Sequence, residues 1–318
     1  MSEEILVVKN LKKYFNTAHG VVKAVDGISF SITEGETFGL VGESGSGKST
    51  TAFTIMGVYA QTEGEIFFKG QPLAKGVKNR PLSLKKEMQM VFQDPGSSLN
   101  PRKSIRQIIE QPLKIHKLYR GKARERVAEL LGMVGLPTDF MERYPQAVGG
   151  GEKQLVAMAR ALATEPSFIA LDEPTSALDV SMQARIINTL LRIQKDLNLS
   201  YLFITHNLSL MRNVASRIGI MYVGKLFEVA PAAEFFRDPL HPYTKMLISS
   251  IPVITKEEEE LKPKKIISRG EIPSPVNVPP GCSFHPRCPE CRAVCSEKEP
   301  AMVEVSPGHY VKCHAFCD

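Results

Sequence analysis

A nine-residue run, Gly42-Glu43-Ser44-Gly45-Ser46-Gly47-Lys48-Ser49-Thr50, follows directly on the apolar stretch 37–41. It constrains the fold more than any other feature of the chain. Glycines let the backbone curl so that successive N–H groups point inward. A strand before the loop and a helix after it fix that curl at the carboxyl edge of a sheet. There the N–H groups and the helix N-terminus face a β-phosphate, Lys48 reaches the β and γ oxygens, and Ser49 ligates Mg²⁺. An ordinary Gly/Ser turn requires neither the strand nor the lysine, so a nucleotide with Mg²⁺ is the expected ligand.

The surrounding periodicity predicts an α/β fold. Segments 5–8, 25–32, 37–41 and 65–68 alternate as strands do, with turns such as Glu34-Gly35 between them, and read as sheet wrapped around the loop, an antiparallel β subdomain being expected beside the nucleotide-binding core. From about 103 to 163 the apolar spacing becomes helical, notably over 123–134 and 152–163, which predicts a helical insert. Two apolar runs, 168–171 and 201–204, flank a helix expected over 181–197, the βαβ rhythm of a parallel sheet.

With 318 residues, 43 % apolar and 23 % charged, the chain can bury one large core and still carry an appendage. The formal charge of +6 is spread along the sequence and points to neither nucleic acid nor an anionic membrane. No apolar run reaches about 18 residues, and MSEEILVVKN lacks the basic start and apolar core of a signal peptide. The expectation is a cytosolic protein that forms no pore of its own.

Three further groups sit at strand exits, where parallel sheets gather their sites. The strand 168–172 ends in Asp172 and Glu173, suited to one Mg²⁺ ligand and one general base beside a γ-phosphate. Gln93 follows the run 88–92, and His206 follows 201–205. Singly, each would read as a local hydrogen-bonding group.

Taken in order, the loop, Gln93, Val148-Gly149-Gly150-Gly151-Glu152, Asp172-Glu173, Ser176-Ala177-Leu178-Asp179 and His206 resemble the ATP-binding cassette (ABC) family over residues 1 to about 235. The resemblance implies that Gln93 senses the γ-phosphate and contacts Mg²⁺, Glu173 polarises the attacking water, and His206 holds the γ-phosphate. It implies that Phe15, or its neighbour Tyr14, stacks on adenine. It further implies that two cassettes sandwich ATP, with Asp179 at the seam and Gly149, Gly150 and Gly151 serving the partner's nucleotide. Gly149 stands where the family usually has serine, and Glu152 and Leu155 replace the commoner glutamine and arginine. A hydroxyl bonded to a charged phosphate is worth about 1.5–3 kcal/mol, so its absence weakens the partner's site about tenfold to a hundredfold unless the backbone compensates.

Beyond residue 235 the composition changes, and 236–318 reads as a second module with prolines at 239, 242, 273, 275, 279 and 280. Asp238-Pro239-Leu240-His241-Pro242-Tyr243-Thr244, Gly270-Glu271-Ile272-Pro273-Ser274-Pro275 and Pro279-Pro280-Gly281-Cys282-Ser283-Phe284 resemble the C-terminal extension of oligopeptide and dipeptide importer ATPases. All six cysteines lie after residue 281. Cys282, Cys288, Cys295 and Cys313 match the four of that extension, which the resemblance associates with a 4Fe–4S cluster; Cys291 and Cys317 are extra. Read from the residues alone, structural Zn²⁺ suits four thiolates equally well. With no helix or strand run long enough to build a core after 265, the metal centre is expected to supply most of the local folding energy.

The sequence therefore predicts an ATP-hydrolysing peripheral subunit at the cytoplasmic face of a peptide importer. Its expected partners are a second, non-identical cassette, two permease subunits and, indirectly, an external binding protein. Val91-Phe92-Gln93-Asp94-Pro95 followed by Ser98-Leu99-Asn100-Pro101-Arg102 resembles the second of the two paired importer ATPases. Rival readings are an importer ATPase for nickel or oligosaccharide, a soluble ATPase working on nucleic acid or ribosomes, and a metal-binding sensor with a regulatory nucleotide site. The chain has neither the duplicated cassette nor the long coiled-coil insert of the soluble class, and its intact Glu173 and His206 speak against a sensor.

Overall fold

The computed structural model describes residues 3–176, 178–251 and 270–317. Strands β1 (Glu4–Thr17) and β2 (Gly20–Thr33) form an antiparallel hairpin, extended by β4 (Glu63–Phe68) and β5 (Gln71–Pro72) in the order β2-β1-β4-β5. Both hairpin strands run well past their predicted bounds. Register shifts between Val8 and Leu11 and between Lys13 and Tyr14 break the two-residue period on which the expectation relied.

The second sheet carries the site. Its parallel heart contains β3 (Thr37–Val41), β6 (Met88–Val91), β7 (Phe168–Asp172), β8 (Ser200–Thr205) and β9 (Arg217–Tyr222). β3, β7 and β8 are buried at every position, as expected of strands covered on both faces. Along β8 the side chains alternate between two cores: Tyr201 and Phe203 pack with the helical side, Leu202 and Ile204 with the hairpin side. Register aligns Val41 with Thr205, Ile204 with Asp172, and Leu171 with Val91. Four strands thus end at one edge, and the loop at 42–47, Gln93, Glu173 and His206 all follow from it.

After α1 (Lys48–Ile55) and two short helices, α2 (Leu82–Glu87) and α3 (Pro95–Ser98), three helices make the insert: α4 (Ile105–Ile115), α5 (Ala123–Met133) and α6 (Gly150–Leu162). Ser104 caps α4, accepting from the Gln107 N–H at 3.4 Å while the Gln107 side chain accepts from the Ser104 N–H at 3.0 Å. Helix α7 (Val180–Leu197) joins β7 to β8 and bears the βαβ rhythm read from the sequence; the short helices α8 (Leu208–Val214) and α9 (Ala232–Arg237) follow β8 and β10 (Lys225–Pro231).

The region after 236 departs from expectation. A short hairpin, β11 (Val303–Ser306) with β12 (His309–Val311), pairs antiparallel with β10 (Lys225–Pro231) and completes an eight-stranded sheet, β11-β12-β10-β9-β3-β8-β7-β6. Phe284 is fully buried, with its ring 5.4 Å from Tyr222 and 5.2 Å from Tyr243. Glu228, also fully buried, accepts from the N–H groups of Leu240 and His241 at 2.9 and 2.8 Å and stands 2.8 Å from His309 Nε2. A buried ring of this size is worth about 1.5–3 kcal/mol by area alone. The extension is therefore anchored by the main core and sheet as well, so its folding does not rest on the thiols alone. Sequence periodicity missed this because β11 and β12 are too short to show a period and their pairing partner lies some eighty residues upstream.

Candidate functional site: a nucleotide cleft at the strand ends

Two of the loop's glycines, Gly42 and Gly47, are required by close backbone approach. A Cβ at Gly42 would fall 2.1 Å from the Met221 carbonyl oxygen, and one at Gly47, where φ is 105°, would fall 2.0 Å from that of Ala24. Helix α1 (Lys48–Ile55) starts straight from Gly47, with no side chain capping it among the described residues, so its first N–H groups face the cleft. Lys48 is buried, and its ammonium donates to the carbonyls of Gly42 at 2.8 Å and Glu43 at 2.9 Å. Burial lowers its pKa, opposed by the charges of Glu173, Asp172 and Glu43. The arrangement holds a cation at the base of the loop, ready to turn to an anion.

Opposite the loop, the Ser49 hydroxyl donates to Asp172 Oδ1 at 2.8 Å. Asp172 is buried; loss of water raises its pKa, and the Ser49 bond opposes the shift. Glu173 sits in left-handed backbone, φ 44°, its N–H tied to the Ile204 carbonyl at 2.9 Å. Strain of this kind in a non-glycine residue persists where the surroundings dictate it. One carboxylate oxygen accepts from Gln93 Nε2 at 3.1 Å; the other stands 3.1 Å from His206 Nδ1. Hydroxyl, carboxylate and amide oxygens from Ser49, Asp172 and Gln93 are the hard donors that suit Mg²⁺.

A cleft of about 920 Å³ unites these groups: Gly42, Glu43, Ser44, Gly45, Gly47, Lys48, Ser49, Thr50, Gln93, Glu173 and His206 all line it. Ser46 is buried within the loop, and Asp172 stands behind Ser49. Other predicted residues lie elsewhere. Phe15 packs edge-on against Tyr59 at 5.2 Å with Lys13 Nζ over its ring, and the Tyr14 hydroxyl donates to Asp26; neither lines the cleft. Gly149, Gly150, Gly151 and Asp179 are also absent from its wall. Gly149 precedes α6 with its N–H bonded to Glu152 Oε2 at 2.8 Å, and Asp179 caps α7 by accepting from Met182 N at 2.9 Å.

The cleft also has a wall that sequence reading did not assign. Val22 and Ala24 come from β2, Leu247, Ser250 and Ile251 from the end of α10 (Pro242–Ser249) and just beyond it, and Ile272 and Pro275 from the extension. Lys23 N–H donates to the Pro275 carbonyl at 3.1 Å, stitching the extension to β2. The motifs holding Tyr243 and Pro275 were visible in the sequence, but nothing in their spacing connects them to a loop two hundred residues earlier.

Cys282, Cys288, Cys295 and Cys313 line one small cavity, while Cys291 and Cys317 do not. Burial pushes the Cys282 thiol up to about 11 and the Cys288 thiol up to about 12, so both are neutral at pH 7 and bind a cation only by losing a proton. Among the described residues no three His, Cys, Asp or Glu side chains converge closely enough to form a metal site. The expected metal centre therefore has its four thiols around a shared space but not drawn together as ligands.

A family model described as ABC transporter matches residues 25–176, and one described as oligopeptide/dipeptide transporter, C-terminal region, matches 227–295. The oligopeptide transport ATP-binding protein AppF of Bacillus subtilis is 47 % identical over 99 % of this chain and 98 % of its own length. The chain belongs to the ABC transporter ATP-binding proteins. Within this family, the dipeptide transport ATP-binding protein DppF of Haemophilus influenzae is 39 % identical over 95 % of this chain and 94 % of its own. Among solved structures, the ABC protein cbiO1 of Clostridium perfringens superposes with a TM-score of 0.66 at 28 % identity, covering 74 % of this chain and 92 % of that one. The cassette MJ0796, solved as a dimer bound to ADP and Pi, gives 0.64 at 28 % identity over 71 % and 98 %. No helix among the described residues is long and apolar enough to cross a membrane.

Proposed function

We propose that this ABC protein hydrolyses ATP to energise the import of oligopeptides or dipeptides, acting as one of two cassettes docked on membrane subunits. The observation that carries the reading is the placement of Glu173 between Gln93 and His206, across one cleft from Lys48 and Ser49. Glu173 is positioned to accept a proton from an attacking water, with Gln93 and His206 fixing its two oxygens. Lys48 and the loop N–H groups hold the β- and γ-phosphates. Ser49, Asp172 and Gln93 would hold Mg²⁺, which when bound offsets the charge developing on the phosphates.

The signature glycines and Asp179 stand outside the cleft, which supports a role toward a second cassette's nucleotide. That partner is read as non-identical, and the site built on its loop as the one served by Gly149. The similarity to AppF and DppF along the whole chain supports peptides as the cargo. The cytoplasmic face of the membrane is the corresponding location. Four thiols around one cavity suit a soft-ligand centre, read as a structural 4Fe–4S cluster with Zn²⁺ as the alternative. Anaerobic purification with iron, sulfide and zinc analysis distinguishes these, and absence of all three rejects the centre. The transport reading is tested by reconstituting the subunit with its permease and measuring ATP hydrolysis with and without peptide-loaded binding protein. Peptide stimulation that vanishes in Lys48→Ala supports it, and stimulation only by another cargo refutes it.

A further inference from the structure

The sequence places Glu43 in an awkward position: a carboxylate inside a loop built to surround polyphosphate, and one that lines the cleft. The structure answers it from the extension. Arg287 donates from Nη1 to Glu43 Oε2 at 2.8 Å and from Nη2 to Oε1 at 3.2 Å, a two-pronged pairing of guanidinium and carboxylate. Arg287 is buried, about 7 % exposed. It also donates to the Tyr222 hydroxyl at 3.3 Å and lies 5.7 and 5.8 Å from the Tyr222 and Phe284 ring centres. Glu43 is gripped at its backbone as well, since its N–H donates to the Tyr243 hydroxyl at 3.1 Å and its carbonyl accepts from Lys48.

The position of Arg287 is set by the cysteine knuckle. It ends a single 3₁₀ turn, His285–Arg287, in which the His285 N–H bonds to the Cys282 carbonyl at 2.9 Å, and Cys288 follows directly. Cys282 and Cys288 both line the thiol cavity.

We infer that Arg287 is a positioning residue of the nucleotide site: it turns the Glu43 carboxylate toward the extension and cancels its charge, so that the loop accepts polyphosphate. The inference rests on the nucleotide-site reading above and adds to it a second role for the extension, as the brace of the phosphate loop. Without Arg287, Glu43 is an unpaired anion beside the phosphates. Like-charge repulsion at a partly hydrated site is worth about tenfold in affinity.

The test is titration of the full chain with MgADP by calorimetry in the wild type, Arg287→Gln, Glu43→Gln and the double variant. Arg287→Gln is expected to weaken binding about tenfold, and adding Glu43→Gln to restore it to within about threefold of wild type. Restoration is the decisive readout once thermal unfolding of the same variants shows each folded at the titration temperature, since binding is then compared between folded chains. Unchanged binding in Arg287→Gln, or weakening that Glu43→Gln fails to relieve, overturns the inference while wild-type binding leaves the nucleotide reading standing. Failure of the wild type to bind overturns both.

Discussion

Replacing Gly149 by serine tests what the departure in the signature costs. The backbone at Gly149 has φ −69°, and a Cβ there meets only Glu152 Oε2, at 3.5 Å, an ordinary contact. The substitution therefore introduces neither strain nor a clash. Two new bonds are open to the hydroxyl. Turned along α6 it caps the third N–H of the helix, worth only a few tenths of a kcal/mol over glycine. Turned away from the helix, in the closed pair of cassettes proposed above, it would meet the partner's γ-phosphate, worth about 1.5–3 kcal/mol, or about tenfold to a hundredfold in the rate at that site. The two are separable. Thermal unfolding of the isolated chain reads the cap, and single-turnover hydrolysis in the assembled transporter reads the phosphate contact. An assembled complex whose rate is unchanged by Gly149→Ser refutes the idea that the missing hydroxyl limits the partner's site and leaves the backbone donors of Gly150 and Gly151 sufficient.

Three other perturbations follow from the geometry. Glu173→Gln keeps the contacts to Gln93 and His206 but removes the proton acceptor, so ATP should bind and persist while hydrolysis falls about a hundredfold or more; normal turnover would remove Glu173 as the base. Glu228→Ala leaves the Leu240 and His241 N–H groups and His309 without their buried partner, and urea unfolding should show a loss of about 3 kcal/mol or more. His241 is fully buried and accepts from the Tyr243 N–H at 3.0 Å through Nδ1, and burial lowers its pKa from 6.5 to about 3. The folded chain then binds fewer protons than the unfolded one, so the stability this group contributes is complete above pH 6.5 and is lost as pH falls toward 3. His241→Gln should flatten that part of the pH–stability curve, and an unchanged slope would refute the assignment.

The strand ends, the loop and the catalytic carboxylates were legible because each is announced locally. β3 is an apolar run met by glycines, and β7 is an apolar run met by Asp172 and Glu173. Periodicity also found α5, α6 and α7 to within a residue or two of their bounds; α5 and α7 each bury a spaced set of residues, whereas α6 is buried at nearly every position from Gln154 to Leu162. What stayed hidden was long-range. Phe15 carries an aromatic ring at the expected place in sequence, and its edge-on packing with Tyr59 is a contact that no spacing rule contains. The extension's share in the cleft depends on Pro275 meeting Lys23 and Arg287 meeting Glu43, pairings between residues that look unremarkable in their own neighbourhoods.

The pairing of Glu43 with Arg287 spans 244 residues of sequence, which orders events during synthesis. A ribosome adding about 5–20 residues per second makes the phosphate loop roughly ten to fifty seconds before the arginine that neutralises it. Over that interval the strands around the loop can already pair, yet the loop carries a bare carboxylate and holds nucleotide poorly. Full nucleotide affinity thereby becomes a report on the far end of the fold: it arrives only after β12 has joined β10 and the knuckle has closed, so an unfinished cassette holds ATP about tenfold more weakly.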